Sequence, residues 1–306
     1  MKKFAIVTCV TPNWLPPAAV TLLSCAQHGA EEFADLIILC AGATAGDETN
    51  LQSFNSHHGI QIKLLNVVPG DLSGIDSGRL GVGAILRLKL NEFLPHEFKK
   101  VLYIDSDVLC MQTLSKLFAM SLDGFAFAAV ESTAMMPVIN KTAEAHLKSI
   151  GMATTAPYFN SGIVLFDWTT ILKTDFFKDC LTTLKSRTDW RFHDQDVMNI
   201  AALGKWKKLH QKYNVTKKTA DYLSIDPVFR HFNGAAKPWN SKSRFGFARY
   251  HKYYADSLSG TPWQSFMDQP QKPWSFKDNW RALLRKLSFR KIAKLRHHIS
   301  LVAEKD

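Results

Sequence analysis

Asp105 and Asp107 stand one residue apart, directly after the apolar run Val101-Leu102-Tyr103-Ile104. That run, preceded by Lys99-Lys100, predicts a strand buried on both faces. The two carboxylates then fall at or just past its C-terminal end, where α/β sheets hold their ligands. Carboxylates at i and i+2 point the same way if strand geometry continues through Ser106. With no basic residue between them, their oxygens suit a hard divalent cation that also holds phosphate. The alternative is a polar turn capping a core strand.

Four further clusters carry chemistry. In the run from His231 to Trp239, the histidine adds a nitrogen ligand to two carboxylates, a mixed set that suits Mn²⁺. Gly234 lets backbone amides approach a phosphate, and Lys237 supplies a point charge for it; a surface turn with a satisfied histidine is the alternative. His193-Asp194-Gln195-Asp196 opens a predicted helix, with Asp194 and Asp196 as cap and first-turn carboxylate or as part of a polar cluster on a sugar ring. Arg87, within Leu86-Arg87-Leu88-Lys89-Leu90, is either a helix-surface cation or a partly buried clamp. Tyr158-Phe159-Asn160-Ser161-Gly162 reads as a turn before a strand, with Asn160 able to hydrogen-bond a ligand.

The elements that must position these residues alternate. Strands are predicted at Phe4–Val10, Asp35–Cys40 and Ile60–Val67, with helices at Ala18–Gln27 and Leu51–His57 between them. A helix follows at Arg79–Phe93, then the strand ending at Asp105, then strands at Phe125–Val130 and Ile163–Phe166. Helical spacing returns at Phe176–Leu184 and Gln195–Ala202. Such alternation argues for βαβ units and a parallel sheet. A linker at Asp268–Pro273 divides a catalytic domain, 1–268, from a tail, 269–306.

Composition excludes several classes. No apolar run approaches the ~20 residues needed to span a bilayer, and Thr8, Cys9, Thr11, Pro12 and Asn13 break the N-terminal apolar run, so it reads as a strand and not a signal peptide. The five cysteines are an odd, widely spaced set, which favours buried reduced thiols over a disulfide framework or a zinc site. Of the net charge of +11, the segment from Lys272 to His298 contributes +8, with nine Lys or Arg against Asp278 alone. Trp274, Phe276, Trp280, Leu283, Leu284 and Leu287 lie among these charges. A basic helix with aromatic anchors fits an anionic membrane surface, whereas a nucleic-acid-binding reading rests on the tail's charge alone and is not expected.

Taken in order, these pieces resemble the retaining glycosyltransferases of family 8, especially the bacterial lipopolysaccharide and lipooligosaccharide galactosyl- and glucosyltransferases. The similarity runs from Phe4 to Trp239 and includes Arg-Leu-Lys-Leu from Arg87, Val-Leu-Tyr-Ile-Asp-Ser-Asp from Val101, Ile-Gly-Met-Ala from Ile150, Tyr-Phe-Asn-Ser-Gly from Tyr158, Asp-Gln-Asp from Asp194 and Gly-Ala-Ala-Lys-Pro-Trp from Gly234. The resemblance implies a GT-A fold, an α/β domain with a mixed, mainly parallel sheet. It implies that Asp105, Asp107 and His231 ligate Mn²⁺, or Mg²⁺, on the diphosphate of a UDP-hexose, and that Ser106 lines the donor site. Gly234 and Lys237 would hold the phosphates. Arg87, Asn160, Asp194 and Gln195 would surround the hexose, with Gln195 nearest the anomeric centre and Arg87 and Asp194 beside it in catalysis. Glu131 would meet a saccharide or lipid-linked acceptor such as a lipopolysaccharide core. Such an enzyme is expected in the cytoplasm, on the inner face of the membrane.

One departure stands out. The family's first strand usually ends in an acidic pair before Asn and an aromatic; here Thr11 and Pro12 replace the acids, while Asn13 and Trp14 remain. Thr11, Asn13 and Trp14 would therefore read the base by stacking and backbone groups. Thr11 also supports the alternative of a catalytically weak nucleotide- or sugar-binding relic. A haloacid-dehalogenase-type phosphatase is disfavoured, because its Asp-x-Asp lies near the N-terminus.

Overall fold

The computed structural model describes residues 2–68, 81–136, 139–241 and 246–271, with scattered positions from 276 to 296. In chain order the strands are β1 Phe4–Val10, β2 Ala34–Ala41, β3 Ile62–Val67, β4 Lys100–Ile104, β5 Val108–Cys110, β6 Phe127–Glu131, β7 Phe159–Asp167, β8 Lys207–Leu209 and β9 Phe229–His231. Seven of them form one sheet in the order β3-β2-β1-β4-β7-β6-β8, and β5 and β9 pair separately. β7 alone runs against its neighbours β4 and β6, and the other pairings in the large sheet are parallel.

The sheet is covered on both sides. Along β1, Ile6 and Val10 enter one apolar cluster with Leu15, Leu22 and Tyr254, while Ala5, Val7 and Cys9 enter another with Leu86, Leu88 and Phe166. β4 divides likewise, Leu102 and Ile104 against Val101 and Tyr103. Burial on two faces explains why these strands read as unbroken apolar runs instead of alternating ones. The chain adds β2 and β3 on one side of β1 and then returns to lay β4 on the other. The switch point therefore falls between the C-terminal ends of β1 and β4, where α/β folds bind ligands.

Several helices differ from their sequence expectation. The first spans Leu15–Ala26, because Pro16 and Pro17 occupy first-turn positions whose N–H groups have no helical partner anyway. The second spans Ala45–His58, begun by a capping box between Thr44 and Asp47; only Leu51 and Phe54 are buried, so apolar spacing shows just its middle. The expected helix over 79–93 is divided: Gly81–Leu86 is α-helical, Arg87–Lys89 is a 3-10 turn and Leu90–Phe93 is α-helical again, while Arg79 and Leu80 lie outside the described residues. The tighter turn carries Arg87, Leu88 and Lys89 inward together. Strand β3 starts at Ile62, not Ile60, and β6 covers Phe127–Glu131. Strands β5, β8 and β9 are three residues each, too short for period-2 patterning to reveal them.

Asn160-Ser161-Gly162 is not a turn. These residues belong to β7, with Phe159 opposite Glu131 and Ile163 opposite Ile104. A bulge between Ala129 and Glu131 adjusts the register there.

All five cysteines are buried and unbridged. In the tail, Phe276, Trp280, Leu283, Leu284 and Leu287 are exposed, whereas Ile292 packs against Met136, Ile139, Tyr222 and Leu223. Trp274, Arg281, Arg285, Lys286, Arg290 and Lys294 lie outside the described residues.

Candidate active site

The two carboxylates do not share a strand. β4 ends at Ile104, and a turn at Ser106–Asp107 leads into β5. Asp105 N–H bonds to Gly162 O at 2.8 Å, and Phe232 N–H bonds to Asp107 O at 2.9 Å. The antiparallel β5–β9 pair sets His231 opposite Val108. Thr21 Oγ1 donates to Ser106 O at 3.0 Å and to Val108 O at 2.8 Å, which holds the turn from below. One ligand atom each of Asp105, Asp107 and His231 lies within 4.8 Å of the others.

The donor set fits a divalent cation. His231 Nδ1 sits 3.0 Å from Asn214 Oδ1; with Nδ1 donating to that oxygen, Nε2 presents a lone pair. That nitrogen is 3.2 Å from Asp107 Oδ1 and 3.6 Å from Asp105 Oδ2. Asp107 Oδ1 is buried with no hydrogen-bond donor among the described residues, because the imidazole offers it a lone pair. Two facing acceptors call for a positive centre between them.

Basic residues distant in sequence neutralise both carboxylates, which their local sequence did not indicate. Lys237 Nζ pairs with Asp107 Oδ2 and donates to Phe232 O at 2.9 Å. Burial acts to raise the Asp107 carboxyl, but the charge of Lys237 outweighs it and holds the group well below the usual carboxylate range. Arg87 is buried, not a helix-surface cation: Nη2 reaches Asp105 Oδ1 at 2.9 Å, and Nη1 reaches Asp194 Oδ2 at 3.1 Å. The guanidinium lies 4.6 Å from the Tyr103 ring centroid, and the Tyr103 hydroxyl donates to Asp105 Oδ1 at 2.8 Å. One arginine thus ties the cation cluster to the Asp-Gln-Asp helix.

That helix spans His193–Ala202, with Phe192 at its N-cap, so Asp194 is not the cap. Asp194 accepts from Ser161 Oγ at 3.1 Å. Burial pushes its carboxyl up, which Arg87 only partly offsets. Gln195 Oε1 accepts from Asn160 Nδ2 at 2.8 Å and from Ser161 N at 3.2 Å. Arg87, Asp105, Asp194, Gln195 and Asn160 are therefore one contiguous set.

The remaining candidates lie around it. Thr11 follows β1 directly and caps the 3-10 turn Pro12–Trp14 without a side-chain bond. Asn13 is exposed; Trp14 is 40 % exposed and packs edge-to-face with the buried Trp239, ring centroids 5.9 Å apart. Gly234 has φ 93°, a backbone conformation that favours glycine. Glu131, at the end of β6, pairs with Lys208 at 2.9 Å, and its carbonyl accepts from Gln211.

Sequence reasoning missed Gly162, Asn214 and Tyr103. A Cβ on Gly162 would stand 2.6 Å from Asp105 Oδ2 and overlap His231 Cε1, so only glycine leaves the cluster room. The glycine after an amide and before an apolar run was the available signal. Asn214 had none, being one polar residue in a short segment.

The mixed sheet with helices on both faces matches the GT-A glycosyltransferase fold. The family model described as Glycosyl transferase family 8 matches residues 5–243, and the chain belongs to that family. General stress protein A of Bacillus subtilis is 24 % identical over 283 residues, covering 85 % of this chain and 94 % of that protein. Lipopolysaccharide 1,2-glucosyltransferase of Escherichia coli is 24 % identical, covering 90 % of this chain and 83 % of that protein. Among solved structures, galactosyltransferase LgtC in complex with donor and acceptor sugar analogs superposes with TM-score 0.73 at 22 % identity, covering 87 % of this chain and all 100 % of the other.

Proposed function

We propose that this glycosyltransferase is a metal-dependent, retaining hexosyltransferase that moves galactose or glucose from a UDP-sugar to a saccharide acceptor of the lipopolysaccharide-core kind. The observation that carries the reading is the juxtaposition made by Asp105. On one side stand Asp107, His231 and Lys237, suited to a cation and a diphosphate; on the other stand Arg87, Asp194 and Gln195, suited to a sugar. Relatives named as lipopolysaccharide 1,2-glucosyltransferase and 1,3-galactosyltransferase support the hexose and the acceptor class.

Asp105, Asp107 and His231 would hold a Mn²⁺ or Mg²⁺ ion, which would supply Lewis-acid neutralisation of the charge on the departing diphosphate. Lys237, released from Asp107 toward the phosphates, adds to the same stabilisation, and the backbone at Gly234 accommodates them. Trp14 stacks on the base, with Asn13 and the backbone at Thr11 beside it. Arg87 fixes Asp105 and Asp194; Asp194 and Asn160 take hexose hydroxyls, and Gln195 faces the anomeric carbon. Asp194 is locked to Arg87 and Ser161, and Asp196 to Tyr158, His146 and the Phe192 amide. This locking favours front-face substitution through an oxocarbenium-like state over a double displacement. Glu131, one strand over from Asn160, meets the acceptor.

Thermal melts with UDP, GDP, CDP and ADP, each with and without Mn²⁺, test the donor site. A shift with UDP that needs Mn²⁺ and vanishes in Asp107→Ala supports the transferase. No shift with any nucleotide replaces it with the weakly catalytic relic that Thr11 suggests.

Among the described residues no helix is long and apolar enough to cross a membrane. Residues 269–306 attach the enzyme peripherally to the inner face of the cytoplasmic membrane through the exposed Phe276, Trp280, Leu283, Leu284 and Leu287 and the basic residues between them. At ~1 kcal/mol per basic residue, a triple Arg281→Gln, Arg285→Gln, Lys286→Gln variant loses roughly a hundredfold in partition to anionic vesicles. Unchanged vesicle sedimentation rejects the attachment.

A further inference from the structure

The hydrogen bond on the back of His231 is the first link of a chain that crosses the whole site. Asn214 Oδ1 takes the His231 Nδ1 proton at 3.0 Å, and Asn214 Nδ2 donates to Asn160 Oδ1 at 2.7 Å. Asn160 Nδ2 donates to Gln195 Oε1 at 2.8 Å, and Gln195 Nε2 to the Tyr158 hydroxyl at 3.1 Å. The Tyr158 hydroxyl ends the chain on Asp196 Oδ1 at 2.5 Å. All five bonds donate in the same direction, the arrangement in which successive bonds polarise one another.

Fixed groups dictate that direction. Asp196 accepts from His146 Nε2 at 2.8 Å and from Phe192 N at 2.9 Å as well as from Tyr158, so Tyr158 must donate there and accept from Gln195. Burial, followed by the charge of Asp196, pushes the Tyr158 hydroxyl well up, which keeps it a donor. Two backbone amides set the middle independently: Ser161 N–H points at Gln195 Oε1 (3.2 Å), and Gly162 N–H at Asn160 Oδ1 (3.3 Å). With both of those oxygens placed, the group that Asn214 turns toward Asn160 has to be its NH₂. Its oxygen is left for His231. Asn214, His231, Tyr158 and Asp196 are all buried, so water does not compete for these bonds.

We propose that Asn214 is the positioning residue that couples the cation site to the sugar site: its amide oxygen holds the His231 proton on Nδ1, leaving Nε2 free for the cation, and its amide nitrogen steers Asn160 toward Gln195. The coupling rests on the metal site proposed above. Partners behind a metal-ligating histidine commonly set its tautomer and ring orientation, and losing one costs about 10- to 100-fold in metal affinity.

Two variants separate the two halves. Asn214→Leu fills the space and removes both bonds. Asn214→Asp keeps an acceptor for His231 but presents an oxygen to Asn160 Oδ1. Mn²⁺ affinity is read by electron paramagnetic resonance of the nucleotide-free protein, and the His231 tautomer by ¹⁵N NMR of the metal-free protein, with His231→Gln assigning the signal. Wild type should carry the proton on Nδ1. Asn214→Leu should show mixed tautomers and Mn²⁺ binding weakened about 10- to 100-fold. Asn214→Asp should keep the tautomer and the Mn²⁺ affinity yet weaken binding of UDP-glucose and UDP-galactose without weakening that of UDP. A wild-type proton on Nε2 overturns the inference, as does a folded Asn214→Leu that binds Mn²⁺ like wild type. If Asn214→Leu fails to fold, the wild-type spectrum and the near-isosteric Asn214→Asp still decide. Wild-type protein that binds no Mn²⁺ rejects the metal site itself, and the coupling with it.

Discussion

Gly162 lies so close to His231 that a Cβ on it would overlap the imidazole Cε1 and stand only 2.6 Å from Asp105 Oδ2. Neither neighbour is free to retreat, since His231 is bonded to Asn214 and Asp105 to Arg87 and Tyr103. Gly162→Ala should therefore cost about 1–3 kcal/mol of stability and abolish the Mn²⁺-dependent thermal shift. Melts with and without Mn²⁺ check this, and a wild-type response to the ion refutes it.

Lys237 is the counter-charge of Asp107 when no cation is bound. Removing one partner of a buried pair leaves the other charge unpaired, so Lys237→Met should destabilise the metal-free enzyme by about 3 kcal/mol. Saturating Mn²⁺ should restore part of that. Because folding lowers the Asp107 pKa, the stability it provides is complete above the unfolded carboxylate value of about 4 and is lost as pH falls through the depressed native value. The gap between wild type and Lys237→Met should shrink below about pH 4, measured by urea melts across that range.

Asp194 has the opposite sign. Folding raises its pKa, chiefly through burial, so its ionised form works against the native state. That penalty begins near the unfolded value of about 4 and grows as pH rises toward the raised native value. Asp194→Asn mimics the neutral acid and leaves Arg87 its bond to Asp105. It should melt at or above the wild-type temperature, by a margin that widens as pH rises through that window, and it should lose transfer activity. A variant that melts lower at neutral pH contradicts this.

Trp14 is half exposed and packs edge-to-face with Trp239. Base stacking on an aromatic face contributes about 1–3 kcal/mol, so Trp14→Ala should weaken UDP binding about tenfold or more. The turnover number should hold, because stacking acts equally on ground and transition states. Unchanged UDP affinity by calorimetry places the base elsewhere.

Local pattern carried a great deal of this. The apolar runs of β1, β2 and β4 were legible because strands buried on both faces need unbroken apolar side chains. Asp105, Asp107, His231, Asp194, Gln195 and Lys237 were legible as carboxylate, imidazole, amide and ammonium groups in ordered motifs. The helix start at Thr44, the interrupted helix at Arg87 and the three-residue strands were not, since none leaves a periodic apolar trace. Asn160-Ser161-Gly162 misled for a related reason: polar and small residues signal a turn, but here they are a strand narrowed to admit His231.

The sequence by itself determined which chemical groups the site contains and in what order along the chain they come. Only the tertiary structure decided their partners. Arg87 reaches both Asp105 and Asp194, Lys237 reaches Asp107, and Asn214 stands between His231 and Asn160, because sheet order and the β5–β9 register bring together residues far apart in the chain. Periodicity within a segment holds no record of such distances; packing against other segments sets them.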